Sequence, residues 1–508
     1  MNPFPVPKRF SEKDNTLDFT GKSWVVLPGN ASFALKRAAR EIVARLAGNF
    51  MNVPRVTMGV PGAGENLAVL RANCKIPPDG YRLAATHSEG FIMEASGEPG
   101  FFYGLLTMEQ LLLDGPARVR DVSIDDAPDY RNRCAYFDVS RGKIPTMPEL
   151  KNAIDQIAML RYNELQLYVE HTFAFAADER VWFDNSPLTP EEIMELDAYC
   201  HERYIELVPI LNSFGHLERW LRFEEYKHLA ECDPPHEENG YKIQSVLYPG
   251  NESLDFLDRL YREYLPNFSS KRLDIDCDET VELGKGRSAK RCDKEGKHRV
   301  YLDFLSKVNA LANKHGYSAQ FSGDIILTTP ELIPELPKNL TALDWGYEAT
   351  HPFEQETRKF KDAGISFYVL PGTSSWLSFT GRTSNMIANI RNAAVNGFKN
   401  GAVGLITGDF GDLGHLQYYP ISWPGMAMAA AMAWNVHSEP EKAIPEAIAF
   451  AFDRTSFRDG CQYGSFLLEA GRLYDDFAFK TGNQAIYFSA MIRPLGGGMH
   501  GYVKYAMK

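Results

Sequence analysis

The chain has 508 residues, 44% of them hydrophobic and 24% charged, and a formal net charge of −12 at pH 7. That length calls for more than one domain, and the negative balance argues against nucleic acid or an anionic membrane as the main partner. No apolar run approaches the roughly 20 residues that span a bilayer, the start Met1–Lys8 lacks the h-region of a signal peptide, and seven scattered cysteines (74, 134, 200, 232, 277, 292 and 461) favour reduced thiols in the cytoplasm.

Residues 1–125 read as a small α/β accessory domain. Trp24–Leu27 is a short strand, and Leu35, Ala38, Ala39, Ile42, Val43 and Leu46 recur at helical spacing. Tyr81–Ala85 and Gly90–Glu94 alternate as a hairpin, and a helix from Phe102 to Leu113 follows. Asp114-Gly-Pro116 is the expected break, with a short linker strand after it.

From 131 to 435, short apolar runs alternate with amphipathic stretches. The expected strands are Ala135–Val139, Leu165–Val169, Ile205–Leu211, Leu273–Cys277, Ser318–Ser322, Leu340–Trp345, Ser366–Leu370 and Val403–Thr407. Helices are expected at Leu150–Leu160, Glu191–Tyr204, Tyr301–Lys314 and Ser384–Asn396, among others. Such βα alternation is the pattern of a (β/α)8 TIM barrel. An open doubly wound sheet competes, but no Gly-x-Gly-x-x-Gly follows the first strand, so its nucleotide-binding form is disfavoured. The remainder, 436–508, reads as a helical C-terminal extension that turns glycine-rich at Gly496-Gly-Gly498.

A barrel builds its active site at the C-terminal ends of its strands. Those ends carry, in order, Asp138 with Arg141, Glu170 with His171, Asn212 with His216, Asp278 with Glu279, Asp324, Trp345 with Tyr347 and Glu348, Trp376, and Asp409 with Asp412. Asp278 and Glu279 are the most informative pair. Adjacent carboxylates cannot ionise independently, so one is expected to hold its proton beside a fixed anion, the combination that cleaving a sugar acetal requires. Solvated acids at a strand end are the plainer reading. Cys232-Asp-Pro-Pro-His236 with Cys277 and Cys292 has no close Cys-x2-Cys pair, so neither a metal nor another cofactor is expected. Ser213-x-Gly215 lacks the leading glycine of a nucleophile elbow.

These residues resemble glycoside hydrolase family 20, the β-N-acetylhexosaminidases. The likeness is carried by Tyr81-Arg-Leu and Phe101–Leu111 in the first domain, then by Asp138-Val-Ser-Arg141, Val208–His216, Asp278-Glu279 and Trp423-Pro424 with the Ala-rich stretch to Trp434. Two motifs depart from it: Asp274-Ile-Asp-Cys277 stands where the family has His-x-Gly-Gly, and Gly408-Asp-Phe-Gly-Asp412 where Trp-x-Glu is expected. The resemblance implies an exo-acting enzyme that releases terminal GlcNAc or GalNAc from amino-sugar glycosides with retention, the substrate's own acetamide acting as nucleophile. It implies that Asp278 orients the acetamido N–H and Glu279 serves as general acid and then base, while Arg141 grips sugar hydroxyls. Glu170, His216, Asp324, Trp345, Tyr347, Trp376 and Asp409 are the further substrate-binding candidates, the tryptophans as an aromatic box. Two other readings stay open: a retaining glycosidase using Asp324 or Asp409 as covalent nucleophile, and a carbohydrate-binding barrel without turnover.

Overall fold

The computed structural model describes residues 3–60, 64–86, 88–113, 117–238, 241–452, 457–478 and 480–492. The expected break at 114–116 and the Gly496–Gly498 run lie outside the described residues.

The N-terminal region forms a seven-stranded mixed sheet in which the predicted hairpin occupies the middle, Tyr81 pairing with Ala95 and Thr86 with Gly90. Strands Arg9–Asp18, Arg55–Met58 and Asn66–Ala72, absent from the sequence reading, extend the sheet together with Arg118–Asp126. Arg9–Asp18 is exposed at nearly every position, so hydrophobic alternation could not reveal it. The helix Glu98–Leu112 is buried on nearly all sides, as expected of a helix that is apolar all round. One side packs on the sheet; on the other, the Tyr103 ring meets Trp434 edge-on at 5.3 Å and the Tyr103 hydroxyl accepts from buried Arg133 at 3.0 Å. Asp126, fully buried, accepts from Tyr81 at 3.1 Å and from the Trp434 indole at 2.8 Å, and lies 3.5 Å from the buried guanidinium of Arg161. These contacts lock the accessory domain onto the barrel near the starts of its first two strands.

The second region is a (β/α)8 barrel. Its strands are β1 Asn132–Asp138, β2 Glu164–Tyr168, β3 Glu206–Val208, β4 Arg272–Asp274, β5 Ser318–Ser322, β6 Thr341–Trp345, β7 Ser366–Leu370 and β8 Gly404–Asp409. All pair in parallel, β8 meets β1, and a bridge from Ile210 to Asp274 closes the ring between β3 and β4. Two strands are shorter than expected. Beyond β3, only the Ile210–Asp274 bridge continues the pairing. Beyond β4, Asp276 (φ 54°) and Cys277 (φ 66°) enter the left-handed region, which breaks the ladder. The Asp278–Glu279 pair therefore sits on a tight loop and not on the strand itself.

Between strands and outer helices runs the main apolar core. Inside the barrel, Cys134, Tyr136, Tyr168, Leu343, Tyr368, Leu370 and Ile406 form a second, smaller cluster. Below it a polar layer fills the base: Arg272 donates to Glu164 at 2.8 Å and to the Tyr368 hydroxyl at 2.7 Å, and Gln166 donates to Gln320 at 2.9 Å. The barrel is thus filled, and open only at its C-terminal mouth. Local signals explain the outer helices: Pro190–His201 begins with a Thr189/Glu192 capping box and proline at its first position. After the all-buried helix Trp423–Trp434 come helices Ile444–Phe452, Phe457–Arg472 and Ile486–Ile492. Among the described residues, no helix is long and apolar enough to cross a membrane.

Candidate active site

The loop after β4 sets the chemistry. Along this segment Leu273, Ile275 and Cys277 are buried in the apolar core, while Asp274, Asp276 and Asp278 line the cavity at the barrel mouth. Facing them, the loop after β3 presents His216, itself at φ 57°. Residue 215 must be glycine here, because a Cβ would lie 2.4 Å from the Asp278 carbonyl oxygen. That close approach brings His216 Nε2 to 3.3 Å from Asp278 Oδ2 and 3.5 Å from Glu279 Oε2.

The two acids consequently separate in acidity. Burial pushes Asp278 up, but the His216 charge and hydrogen bond, with Arg141, outweigh it and hold the carboxyl below its usual range. Burial and then the Asp278 charge raise Glu279, which His216 and Arg141 offset only in part. Burial lowers the His216 imidazolium's hold on its proton, yet Asp278 more than compensates, so its pKa lies well above the ordinary value. The arrangement is an anion, a cation bridging it, and a half-exposed carboxylic acid whose hold on its proton is strengthened. Deeper in the cavity, burial raises Asp274 to about 7 and moves Asp276 upward, the latter helped by the charges of Asp278 and Asp274. Asp276 accepts from Ser322 Oγ at 2.7 Å.

Arg141 lies across the opposite wall. Its guanidinium is 3.4 Å from both Asp138 and Asp412 and 3.3 Å from Glu170, donates to the Tyr168 hydroxyl at 3.0 Å, and stacks 4.7 Å over the Tyr168 ring. Held by this many partners, the fork is fixed in place along the cavity wall. Glu170 does not line the cavity; it supports Arg141 and Tyr168, the latter donating to it at 2.9 Å. Trp345 and Tyr347 stack at 5.3 Å, and Tyr347 meets Trp376 at 5.0 Å and Phe410 at 5.3 Å. Of these four rings, Trp345, Tyr347 and Phe410 face the cavity, while Trp376 is only 1% exposed and backs the wall.

Besides Glu170 and Trp376, two further expected substrate contacts lie off the cavity. Asp409 is turned to the outer side of β8, because Ile406 faces the barrel interior and position 409 has the opposite parity. It accepts there from the hydroxyls of Thr373 at 2.8 Å, Ser375 at 2.7 Å and Ser422 at 2.7 Å. Its place in the cavity is taken by Asp412. Asp324 lies behind the acid pair, where its carboxylate accepts the Glu279 backbone N–H at 3.2 Å. Burial, then Asp278, raises it to about 8.

Sequence reasoning did not single out Tyr136, Tyr168 or Phe410 at the cavity, nor Asn483. Asn483 comes from the C-terminal extension, at φ 61° in a Gly-Asn turn. It accepts from the Trp376 indole at 2.8 Å, and its backbone N–H donates to Glu348 at 2.6 Å. The turn dipeptide was readable; its destination was not. Among the described residues, His216, Asp278 and Glu279 also form one of two trios whose ligand atoms lie within 4.8 Å of one another. Their opposed acidities account for this trio without a metal. The Cys232, His236, Cys277 and Cys292 set is not brought together as a third.

Comparison with known proteins bears on this geometry. The model for "Glycosyl hydrolase family 20, domain 2" matches residues 1–127, and that for "Glycosyl hydrolase family 20, catalytic domain" matches 130–369. The chain belongs to glycosyl hydrolase family 20. Human hexosaminidase D is 24% identical over 214 residues, 42% of this chain and 42% of that protein. A β-hexosaminidase of Akkermansia muciniphila is 30% identical over 159 residues, 27% of this chain and 32% of that one. The chain thus aligns with less than half the length of these relatives. Among solved structures, a Flavobacterium johnsoniae chitobiase superposes with a TM-score of 0.71 at 18% identity, covering 97% of this chain and 74% of that one. A Bacteroides fragilis β-N-acetylhexosaminidase superposes with a TM-score of 0.68 at 17% identity, covering 98% and 99%. At those identities the superpositions speak to the fold.

Proposed function

We propose that this glycoside hydrolase is an exo-β-N-acetylhexosaminidase that removes terminal GlcNAc or GalNAc by substrate-assisted catalysis. The observation that carries the proposal is the divergence of Asp278 and Glu279, adjacent acids of which one is pulled below and the other pushed above its ordinary pKa, at a cavity walled by aromatic rings. In this reading Asp278 accepts the acetamido N–H and stabilises the charge that develops as the acetamide oxygen attacks the anomeric carbon. Glu279 protonates the departing glycosidic oxygen and later takes a proton from the incoming water. His216 is a positioning residue that keeps Asp278 ionised. Arg141 holds ring hydroxyls, and Trp345 and Tyr347 stack on the sugar and its acetamide. Having the nucleophile within the substrate contributes effective molarity, worth ~7–11 kcal/mol in good geometry. Six free cysteines among the described residues support a reducing, cytoplasmic setting.

The placement of Asp324 and Asp409 weighs against a covalent protein nucleophile, since neither named candidate faces the cavity. A binding protein without turnover would have no use for two adjacent acids driven apart in acidity. The test is hydrolysis of aryl β-GlcNAc and β-GalNAc glycosides, with the anomer of the first-formed product read by NMR and inhibition by a GlcNAc-thiazoline. Retention with tight thiazoline inhibition is expected. Turnover of glycosides lacking the acetamide, unaffected by the thiazoline, would overturn the proposal.

A further inference from the structure

Behind the aromatic wall lies a second cluster that the proposed chemistry does not use. On β6, Leu343 and Trp345 face the cavity, so Asp344 between them faces outward beneath the helix Phe353–Asp362. It is completely buried, and neither of its carboxylate oxygens has a hydrogen-bond partner. Glu356, on that helix, and His351, just before it, converge on the same point. His351 Nε2 is 2.8 Å from Glu356 Oε2 and 4.0 Å from Asp344 Oδ1. The first pair is close, yet neither atom is aligned for a hydrogen bond to the other; the second is beyond hydrogen-bond reach. One nitrogen and two carboxylates thus converge on a common centre; the His351–Glu356 ion pair still leaves both oxygens of buried Asp344 without an aligned hydrogen bond, and a buried polar group left so calls for an explanation. The ring is also fixed in place. It lies so tightly on Gly346 that a Cβ there would be 2.2 Å from it.

We propose that Asp344, His351 and Glu356 bind a divalent cation of the zinc class. An imidazole nitrogen with two carboxylate oxygens is a donor set for zinc or its first-row neighbours, whereas calcium and magnesium take oxygens alone. Three protein ligands leave a fourth position for water. The ligands join the end of β6 to the helix after it, across the loop that carries Tyr347, so a bound ion would staple the aromatic wall from behind. This is independent of which glycoside the cavity accepts.

The test uses the full-length protein stripped with a chelator and dialysed. Titration calorimetry with zinc chloride should give one saturable site, accompanied by a rise in melting temperature, and calcium or magnesium at the same concentration should give neither. His351→Ala should weaken zinc binding at least 100-fold, and so should Glu356→Gln, a near-isosteric change at the edge of the site that serves if the first variant does not fold. Glu279→Gln, which disrupts the other three-ligand trio, should bind zinc as the wild type does. Absence of saturable binding in the wild type, or binding lost in Glu279→Gln but kept in Glu356→Gln, would overturn the proposal.

Discussion

Replacing His216 by Asn tests how the cavity keeps Asp278 ionised. At 3.3 Å between His216 Nε2 and Asp278 Oδ2, and with an effective dielectric constant of ~20, the attraction is ~5 kcal/mol. That attraction is an upper bound on what His216 contributes to holding Asp278 ionised. Arg141 remains as a second cation and water can enter the space, so Asp278 is expected to rise by less than the full attraction would give. The sign follows from charge: removing a cation disfavours the neighbouring anion, so the pKa of Asp278 goes up. Asp278 must be ionised to act, and the acid limb of the kcat/KM profile therefore moves to higher pH. Glu279, also held down by His216, rises too, so the alkaline limb moves the same way. The assay is kcat/KM for an aryl GlcNAc glycoside from pH 4 to 9, which reports the free enzyme, with near-ultraviolet circular dichroism as the check on folding. A folded variant whose acid limb stays where the wild type has it would refute the electrostatic role given to His216.

Other consequences can be measured alongside. Glu279→Gln should lose about 10²–10⁴ in kcat/KM on a substrate with a poor leaving group, and far less in kcat/KM on a dinitrophenyl glycoside, whose departure needs no proton; equal losses on both would argue against an acid role. Asp126→Ala strands the buried Arg161 guanidinium and should cost about 3–5 kcal/mol in urea unfolding. Asp276→Gly relieves a left-handed φ of 54°, worth about 1–2 kcal/mol, and removes a carboxyl whose folded pKa lies above its unfolded one. Such a group loses its stabilising protonation as pH rises from about 4, so the gain in urea midpoint over wild type should be larger at pH 8 than at pH 5. Asn483→Ala leaves the Trp376 indole unpaired, costing about 1–3 kcal/mol, which should appear mainly in KM for the terminal sugar.

The barrel was legible because its strands are buried on both faces and read as apolar runs between amphipathic helices; Ser318–Ser322 and Ser366–Leu370 carry the same limits in sequence and structure. Which strand-end residues face the cavity was harder. Parity decides it, and counting from Ile406 would have turned Asp409 outward, as counting from Trp345 turns Asp344. The loop after β4 hid its geometry because Asp276 and Cys277 adopt a left-handed conformation that glycine usually marks, so a longer strand was read. The edge strand Arg9–Asp18 carries too little apolar surface to be seen by pattern. Asn483 reaches the cavity through packing of the C-terminal extension, for which no local periodicity exists.

That last contact has a consequence for the order of events during synthesis. Asn483 follows every barrel strand in the chain, and it ties Trp376 on one side of the cavity to Glu348 on another. A nascent chain can assemble all eight strands and still lack this tie. The rim is therefore completed only after all eight strands have been synthesised, and a premature stop shortly before codon 483 would yield a protein that folds its barrel yet holds sugars poorly.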